Sequence, residues 1–493
     1  MRDKVSPIST ITIVRSSDEE VPKKVHLDTI LENLGSFGRF QKVQFILICI
    51  PIIFVSMHVM SWTFVVSSAR KACDEVGNDT ECIEWAYSAS DRWDISGENS
   101  WIRAVVQAIY FIGQMIGSFA CGVMADKIGR KKVLFLCLVI QVTSAVLMIF
   151  APTWWIYAFV KIGTGFTHPG IFGVSIVLGV ELVGTKYRSL ISTIASFFGA
   201  FGAVLLAILA YFILDYRLLH TAIAIPSLLF LTYWWIIRES ARWLFLMGRF
   251  DEAHNVLCAT ANANKKMLPE DWMTRVERSI ASSSKKTSFG VVDLFRTPQM
   301  RKRTLACFLI WPVTTMTFYG LTMKSDVGGG SVFFTFAMSS FIEIPAQLIV
   351  FLLIDRFGRR MLYSSSILIA GLLLFANWMT NDMVPKEISI TVLLMAKAGV
   401  STAYTTMYTY TSELFPTVIR NTAVGCCSTV ARFGAILASF IAFLLVEQYG
   451  RIVMILPFTI LTIAASIISF VCLPETMGKR LPDSISEVEG QKI

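Results

Sequence analysis

The stretch GVMADKIGRKK at Gly122–Lys132 is echoed 229 positions later by DRFGRR at Asp355–Arg360. A second pair accompanies it: ELVGTKYR at Glu181–Arg188 recurs as ELFPTVIR at Glu413–Arg420, an offset of 232. Each charged segment follows a long apolar run. Two markers repeated at nearly one offset indicate that the halves of the chain are related bundles of membrane helices, a construction typical of secondary transporters.

The composition agrees with a membrane protein. Apolar residues make up 54% of the chain, charged residues 16%, and the mean hydropathy is +0.61. The 493 residues suffice for about a dozen spans of ~20 residues with their loops. The apolar runs predict an all-α membrane protein of twelve transmembrane helices in two pseudo-symmetric six-helix bundles, with helices near 42–66, 101–124, 132–151, 154–179, 189–213, 217–237, 304–324, 330–354, 361–380, 387–411, 420–446 and 451–473.

Basic residues predict the orientation of these helices. Lys and Arg cluster after helices 2, 4, 8 and 10 and in the central loop, whereas the alternate loops carry few, so the basic side is predicted to be cytoplasmic. The formal charge of +9 is then explained by this pattern facing anionic membrane lipid, and it calls for no nucleic acid. The predicted segments are a cytoplasmic tail 1–41, a first bundle 42–237, a cytoplasmic linker 238–303, a second bundle 304–473 and a cytoplasmic tail 474–493.

The loop 67–100 is the one long segment on the predicted outer side. Cys73 and Cys82 bracket Asn78-Asp79-Thr80, an N-glycosylation acceptor. A disulfide between these cysteines suits an oxidising compartment, and two free thiols are the alternative. The sequence predicts no metal site and no cofactor, because it has neither metal-ligand Cys/His spacing nor a phosphate-binding GxxxxGK[ST] loop. An enzyme and an ATP-driven pump are therefore disfavoured.

At this point the chain resembles the major facilitator superfamily and, within it, the organic-ion transporters, which carry organic cations, organic anions and carnitine. The resemblance rests on GRFQ at 38–41, ADKIGRK at 125–131, RESARWL at 238–244, IEIPA at 342–346, TSELFPTVIRN at 411–421 and LPET at 473–476. It implies a secondary active or facilitative transporter in the plasma membrane that works by alternating access. The loop 67–100 is shorter, with fewer cysteines, than is usual in vertebrate members.

The repeated motifs have a physical interpretation. An acid among arginines at a membrane edge forms a charge-assisted pair that holds one helix to its neighbour. The resemblance implies that such pairs keep an inner gate shut while the cavity faces outward. The candidate gate residues are Asp126, Arg130, Asp355, Arg359, Glu181, Arg188, Glu413, Arg420, Glu239 and Glu475. The alternative is a set of solvated loops that serve only to orient the helices.

Ionisable residues at membrane depth mark the candidate substrate site, because such groups are costly there. They are Arg432, about 18 Å into helix 11, Lys397 in helix 10, Lys161 in helix 4 and Glu343 in helix 8. Three cations against one anion favour an anionic or zwitterionic cargo. For the two lysines, which precede Gly163 and Gly399 at equal spacing, a purely structural role stays open.

Arg432 is the most informative of the four. By resemblance, organic-cation transporters have aspartate at this place, whereas anion and carnitine transporters have arginine. An arginine fork can hold a carboxylate through two hydrogen bonds. The alternative is a permanent salt bridge between Arg432 and Glu343, and Gln347 departs from the lysine that anion transporters often have.

Aromatic residues complete the predicted cavity. The resemblance places helices 1, 4, 7 and 10 around it, and Trp311, Phe318 and Tyr408 are the predicted lining residues. Aromatic walls with a few charges suit bulky organic ions. The leading hypothesis is transport of organic anions or carnitine-like zwitterions, with a counter-ion or an exchange anion as partner. An organic cation transporter and a non-transporting sensor of the same fold are the alternatives.

Overall fold

The computed structural model describes residues 27–67, 88–268, 291–380, 383–416, 418–479, 482 and 485–490. Twelve helices within these ranges are long and apolar enough to cross a membrane, which confirms the predicted fold class. They are α1 (Arg39–Val65), α2 (Gly97–Ile128), α3 (Arg130–Ile149), α4 (Trp154–Leu182), α5 (Leu190–Phe212), α6 (Tyr216–Ile236), α7 (Pro298–Met323), α8 (Val332–Phe357), α9 (Arg359–Met379), α10 (Lys386–Leu414), α11 (Arg420–Tyr449) and α12 (Ile452–Cys472). Asn78, Cys73 and Cys82 lie outside the described residues.

The predicted helix bounds agree to within a few residues with one clear exception. Helix α7 begins at Pro298 rather than near 304, and its first turns carry Arg301, Lys302 and Arg303. A proline in the first turn has its φ preset for a helix and lacks an N–H that would have no partner there. The start of α7 was missed because its basic residues interrupt the apolar run by which the helix was predicted.

One glycine in each half makes the sharp reversal between two helices possible. Gly129 joins α2 to α3 with φ at 111°, and Gly358 joins α8 to α9 with φ at 87°. Residues with a side chain rarely adopt this region. The repeated motif therefore carries its glycine for a backbone reason. We call this end of the bundle the motif face.

Close helix packing within each half depends on small residues. Gly113 and Gly117 of α2 face the backbone of α4, where an added Cβ would lie 2.5 Å from the Ile162 carbonyl oxygen and 2.0 Å from that of Phe166. A Cβ added at Gly434 of α11 would likewise lie 2.1 Å from the Pro312 carbonyl oxygen of α7. Small residues four apart let membrane helices approach this closely.

The two halves meet through α2 with α11 and through α5 with α8. At the end opposite the motif face, which we call the loop face, the Arg103 guanidinium of α2 bonds the Glu447 carboxylate of α11 at 2.8 Å. Beside it, the Phe64 ring of α1 stacks on Phe333 of α8 at 5.6 Å. These contacts close the bundle at the loop face.

Three short helices pack together at the motif face. They span Leu27–Asn33, Ala241–Leu246 and Phe250–Asn264, and their apolar side chains form one cluster. Asn264 fastens the cluster to the start of α1, because its amide accepts from the Phe40 N–H at 3.0 Å and donates to Gln41 Oε1 at 2.8 Å. The part of the linker that contains Ala241–Leu246 and Phe250–Asn264 is thus tied to the first bundle.

Candidate functional site

Arg432 lies deep in α11 and is only 5% exposed. Its nearest polar neighbours include the hydroxyl groups of Tyr319, Tyr404 and Tyr408. Its Nε and Nη1 atoms have no hydrogen-bond partner among the described residues. A buried guanidinium with spare donors is costly unless a ligand meets it. This group is the central feature of the candidate site.

Glu343 is paired with Lys397 and not with Arg432. The Lys397 Nζ atom lies 3.1 Å from Glu343 Oε1 and also donates to Thr322 Oγ1 at 2.5 Å and to the Phe318 carbonyl at 3.2 Å. Within the described residues, no carboxylate lies within ion-pair distance of Arg432. The alternative of a permanent Arg432–Glu343 bridge is therefore wrong for this conformation.

Lys161, the counterpart of Lys397 in the first half, has a different environment. Its Nζ lies over three rings, 4.8 Å from the centroid of Trp62, 5.6 Å from that of Tyr157 and 6.0 Å from that of Tyr110. Among the described residues this Nζ has no hydrogen-bond partner. Aromatic faces stabilise an ammonium group in such a cage. Lys161 is fully enclosed here, so it offers no surface to a ligand.

The predicted aromatic residues form one connected group. Phe318 stacks on Tyr404 with centroids 4.8 Å apart, and the Tyr404 and Tyr408 hydroxyls lie 3.3 Å apart. Trp311 packs edge-on against Tyr408 at 4.7 Å and donates its Nε1–H to Thr411. Phe318 and Tyr408 are half-buried, whereas Trp311 is fully buried. In this conformation Trp311 supports the wall from behind and does not line it.

A polar pair on the first half faces the same region, and the candidate residues chosen from sequence did not include it. Gln114 of α2 and His168 of α4 form a hydrogen bond of 2.7 Å between Nε2 and Nδ1. Arg432 acts electrostatically on His168, and Gln114 interacts with the Tyr319 hydroxyl. The internal repeat indicates Gln114 as the equivalent of Glu343, because Gln114 precedes Asp126 by twelve positions and Glu343 precedes Asp355 by the same number.

At the motif face, one glutamate in each half caps the start of a spanning helix. Glu239 accepts the backbone N–H groups of Arg130 and Lys131, each at 3.1 Å. Glu475 accepts those of Arg359 at 3.0 Å and Arg360 at 3.1 Å. A carboxylate is favoured there by the free N–H groups and by the helix dipole. The two caps are equivalent under the internal repeat.

The pKa values of the two capping glutamates are shifted in opposite directions. Burial raises the pKa of Glu239 above its ordinary value, although three backbone donors oppose it. Burial would also raise the pKa of Glu475, but four backbone N–H groups outweigh it and lower that pKa. Glu475 is thus the more firmly ionised of the two.

The remaining motif residues form matching ion pairs within each half. Arg130 contacts Glu181 and Asp126, both at 3.2 Å. Arg359 contacts Glu413 and Asp355, both at 3.0 Å. The two glutamate side chains are 13% and 17% exposed, whereas both aspartates are 78% exposed. The glutamates are therefore the stronger partners. Arg188 is the first residue of the helix whose membrane span is α5, and Arg420 begins α11, also at this face.

Comparison with known proteins identifies the family. The model of the sugar (and other) transporter family matches residues 44–486. The chain is 30% identical to the organic cation transporter protein of Drosophila melanogaster over 94% of each chain. It is 32% identical to the human organic cation/carnitine transporter 2, over 81% of this chain and 72% of that relative.

A solved structure supports the same assignment at the level of the fold. The partially occluded, inward-open xylose transporter XylE from E. coli superimposes with a TM-score of 0.66, covering 89% of this chain and all of that one, at 16% identity. Together with the twelve helices and the paired motifs, these similarities establish that the chain belongs to the major facilitator superfamily and, within it, to the organic-ion transporters of solute carrier family 22.

Proposed function

We propose that this transporter carries small organic anions or carnitine-like zwitterions, and that Arg432 binds the carboxylate of the cargo. The observation that carries the proposal is a buried guanidinium between the two halves with no carboxylate partner among the described residues. A planar guanidinium presents two parallel donors that match a carboxylate. The carboxylate of the cargo would accept the hydrogen bonds for which Arg432 has no acceptor among the described residues.

The charge balance around Arg432 supports the same conclusion. Glu343 is neutralised by Lys397 at 3.1 Å, and Gln114 stands where the second half has this glutamate. Lys161 is enclosed by rings. Among these buried groups, Arg432 is therefore the cation whose charge is neither paired with a carboxylate nor enclosed by rings, with Phe318 and Tyr408 as an aromatic wall for the organic part of the cargo.

An organic cation is the second candidate. It is favoured by the names of the Drosophila and human relatives, which are an organic cation transporter and an organic cation/carnitine transporter, and by the acidic Glu343. A cation would have to replace Lys397 at that carboxylate. A zwitterion such as carnitine would need both Glu343 and Arg432.

The proposal includes the setting in which transport occurs. The motif face is cytoplasmic, both termini lie inside, and the protein works at the plasma membrane with a counter-ion or an exchange anion. Loop 67–100 lies outside, with Asn78 glycosylated and Cys73 joined to Cys82. In the opposite, outward-facing state, the residues at the motif face close the inner gate.

Uptake by transfected cells tests the charge of the cargo. We expect saturable uptake of labelled benzoate or carnitine and a slower but measurable uptake of tetraethylammonium. Arg432→Lys is the matched variant, since it keeps the charge and loses the fork. We expect it to raise the KM for the anion about tenfold, in line with the loss of one charge-assisted bond. Saturable uptake of tetraethylammonium alone would show that the second candidate is correct.

A further inference from the structure

The surroundings of Arg432 assign a second anion-binding group to the first half of the protein. We propose that His168 of α4 donates its Nε2–H to the same carboxylate that Arg432 binds. This inference rests on the proposed function and names the residue that completes its site. The cargo would then be held by one donor from each half.

The hydrogen bond to Gln114 determines which nitrogen of His168 carries the proton. The amide of Gln114 presents its Nε2 atom to His168 Nδ1 at 2.7 Å, while its Oε1 atom has no hydrogen-bond partner among the described residues. An amide nitrogen donates, so Nδ1 accepts, and the proton of the neutral ring sits on Nε2. The imidazole is thus prepared as a donor without carrying a charge of its own.

The position of His168 fits this role. His168 is half-buried, while Lys161 seven residues earlier on the same helix is enclosed. The Phe172 ring lies parallel to the imidazole at 6.0 Å. A chain of side-chain contacts links it to Arg432, because Gln114, which bonds His168 at 2.7 Å, also interacts with the Tyr319 hydroxyl, and that hydroxyl interacts with Arg432. Two donors from opposite halves therefore face one region, and among the described residues the Arg432 Nε and Nη1 atoms await an acceptor.

The internal repeat supports the assignment independently. His168 follows Lys161 by seven positions, as Tyr404 follows Lys397. Tyr404 belongs to the hydroxyl groups around Arg432. Equivalent places on α4 and α10 therefore both carry a polar side chain that interacts with the guanidinium. On α4 this side chain is an imidazole whose Nδ1 atom faces the Gln114 amide.

Binding by residues of both halves lets the cargo change the balance between conformations of the transporter. A carboxylate held by α4 and α11 bridges two bodies that must move relative to each other during alternating access. The bridge stabilises the conformation in which both donors reach the anion. An empty site lacks this bridge, so the cargo itself favours the occluded state.

The test compares benzoate uptake by His168→Ala, His168→Asn and Arg432→Ala with that of the wild type, at matched surface levels. We expect His168→Ala to raise the KM for benzoate about tenfold or more. His168→Asn keeps an amide donor and should restore part of the affinity. The exposed His254→Ala on the linker is the control that should change nothing. In the Arg432→Ala background, His168→Ala should raise the KM for benzoate by a smaller factor than it does in the wild type, because both residues bind the same carboxylate.

The outcomes separate this inference from the proposed function. If Arg432→Ala abolishes benzoate uptake while His168→Ala keeps the wild-type KM, the role of His168 is wrong and the function stands. If Arg432→Ala leaves anion uptake intact, or the wild type transports no anion, the proposed function fails and the inference fails with it. An equal loss for benzoate and tetraethylammonium in His168→Ala would mark a structural role and overturn the inference.

Discussion

Lys161 and Lys397 occupy equivalent places in the repeat and have opposite environments. Lys397 meets Glu343, whereas Lys161 has only aromatic faces around its Nζ among the described residues. At the position equivalent to Glu343 the first half has Gln114, so it lacks the carboxylate that pairs with Lys397 in the second half.

The Lys397–Glu343 pair predicts a non-additive response in stability. Lys397→Met removes one partner of a buried pair and should destabilise the protein by about 3–5 kcal/mol, because Glu343 is left without its counter-charge. Lys397→Met combined with Glu343→Gln should recover most of that loss. Thermal unfolding of the purified protein in detergent measures both. A double variant no more stable than Lys397→Met would contradict the assigned pairing.

At the scale of the helices, the sequence was informative wherever apolar runs ended in charges. It predicted twelve spans and the charged segments that follow helices 2 and 8, whereas the reversals at Gly129 and Gly358 were found only in the structure. It missed the start of α7, because three basic residues occupy its first turns. The partner of Glu343 was not predictable either, since which lysine or arginine reaches it depends on how α8, α10 and α11 pack, and no local pattern encodes that.

The candidate site was predictable only in its charged members. A cation at membrane depth stands out from an apolar sequence, which is how Arg432 was found. His168 is recognisable in the sequence as an intramembrane histidine, but no local pattern indicates that Gln114 pairs with it. Trp311 was assigned to the wall by helix number, but the orientation of its ring is decided by the bond to Thr411.

The ion pairs at the motif face predict an order among four variants. Asp126→Asn and Asp355→Asn alter side chains that are 78% exposed, so each should cost at most about 1 kcal/mol of stability. Glu181→Gln and Glu413→Gln weaken charge-assisted bonds to arginines whose side chains are only 11% and 16% exposed, and should cost about 1–3 kcal/mol. The midpoint of thermal unfolding gives the order. Equal midpoints for aspartate and glutamate variants would refute the assignment of the stronger partners.

At the scale of the whole molecule, a charged pair and a group of aromatic rings join the two halves at the loop face. Arg103 and Glu447 come from α2 and α11, and Phe64 inserts beside Phe333 and Phe336 of the second half. Transport by alternating access requires these contacts to separate in the opposite state. We therefore expect the Arg103–Glu447 pair to favour the conformation that is closed at the loop face.

A charge exchange tests this balance. Arg103→Glu and Glu447→Arg each place like charges together and should favour the state that is open at the loop face. A cysteine introduced at Phe333 should then react faster with a membrane-impermeant thiol reagent. The double exchange restores opposite charges and should return the reaction to its original rate. If both single variants react at that rate, the pair does not hold the loop face closed.

The central claim is that Arg432 selects the charge of the cargo, and the ratio of benzoate uptake to tetraethylammonium uptake measures it most directly. Losing one buried charge-assisted contact costs about 2–5 kcal/mol, roughly 30-fold or more in affinity. We expect this ratio to fall by about that factor in Arg432→Ala, with tetraethylammonium uptake unchanged or increased and surface level normal. A proportional loss of both substrates, leaving the ratio at its wild-type value, would contradict the account.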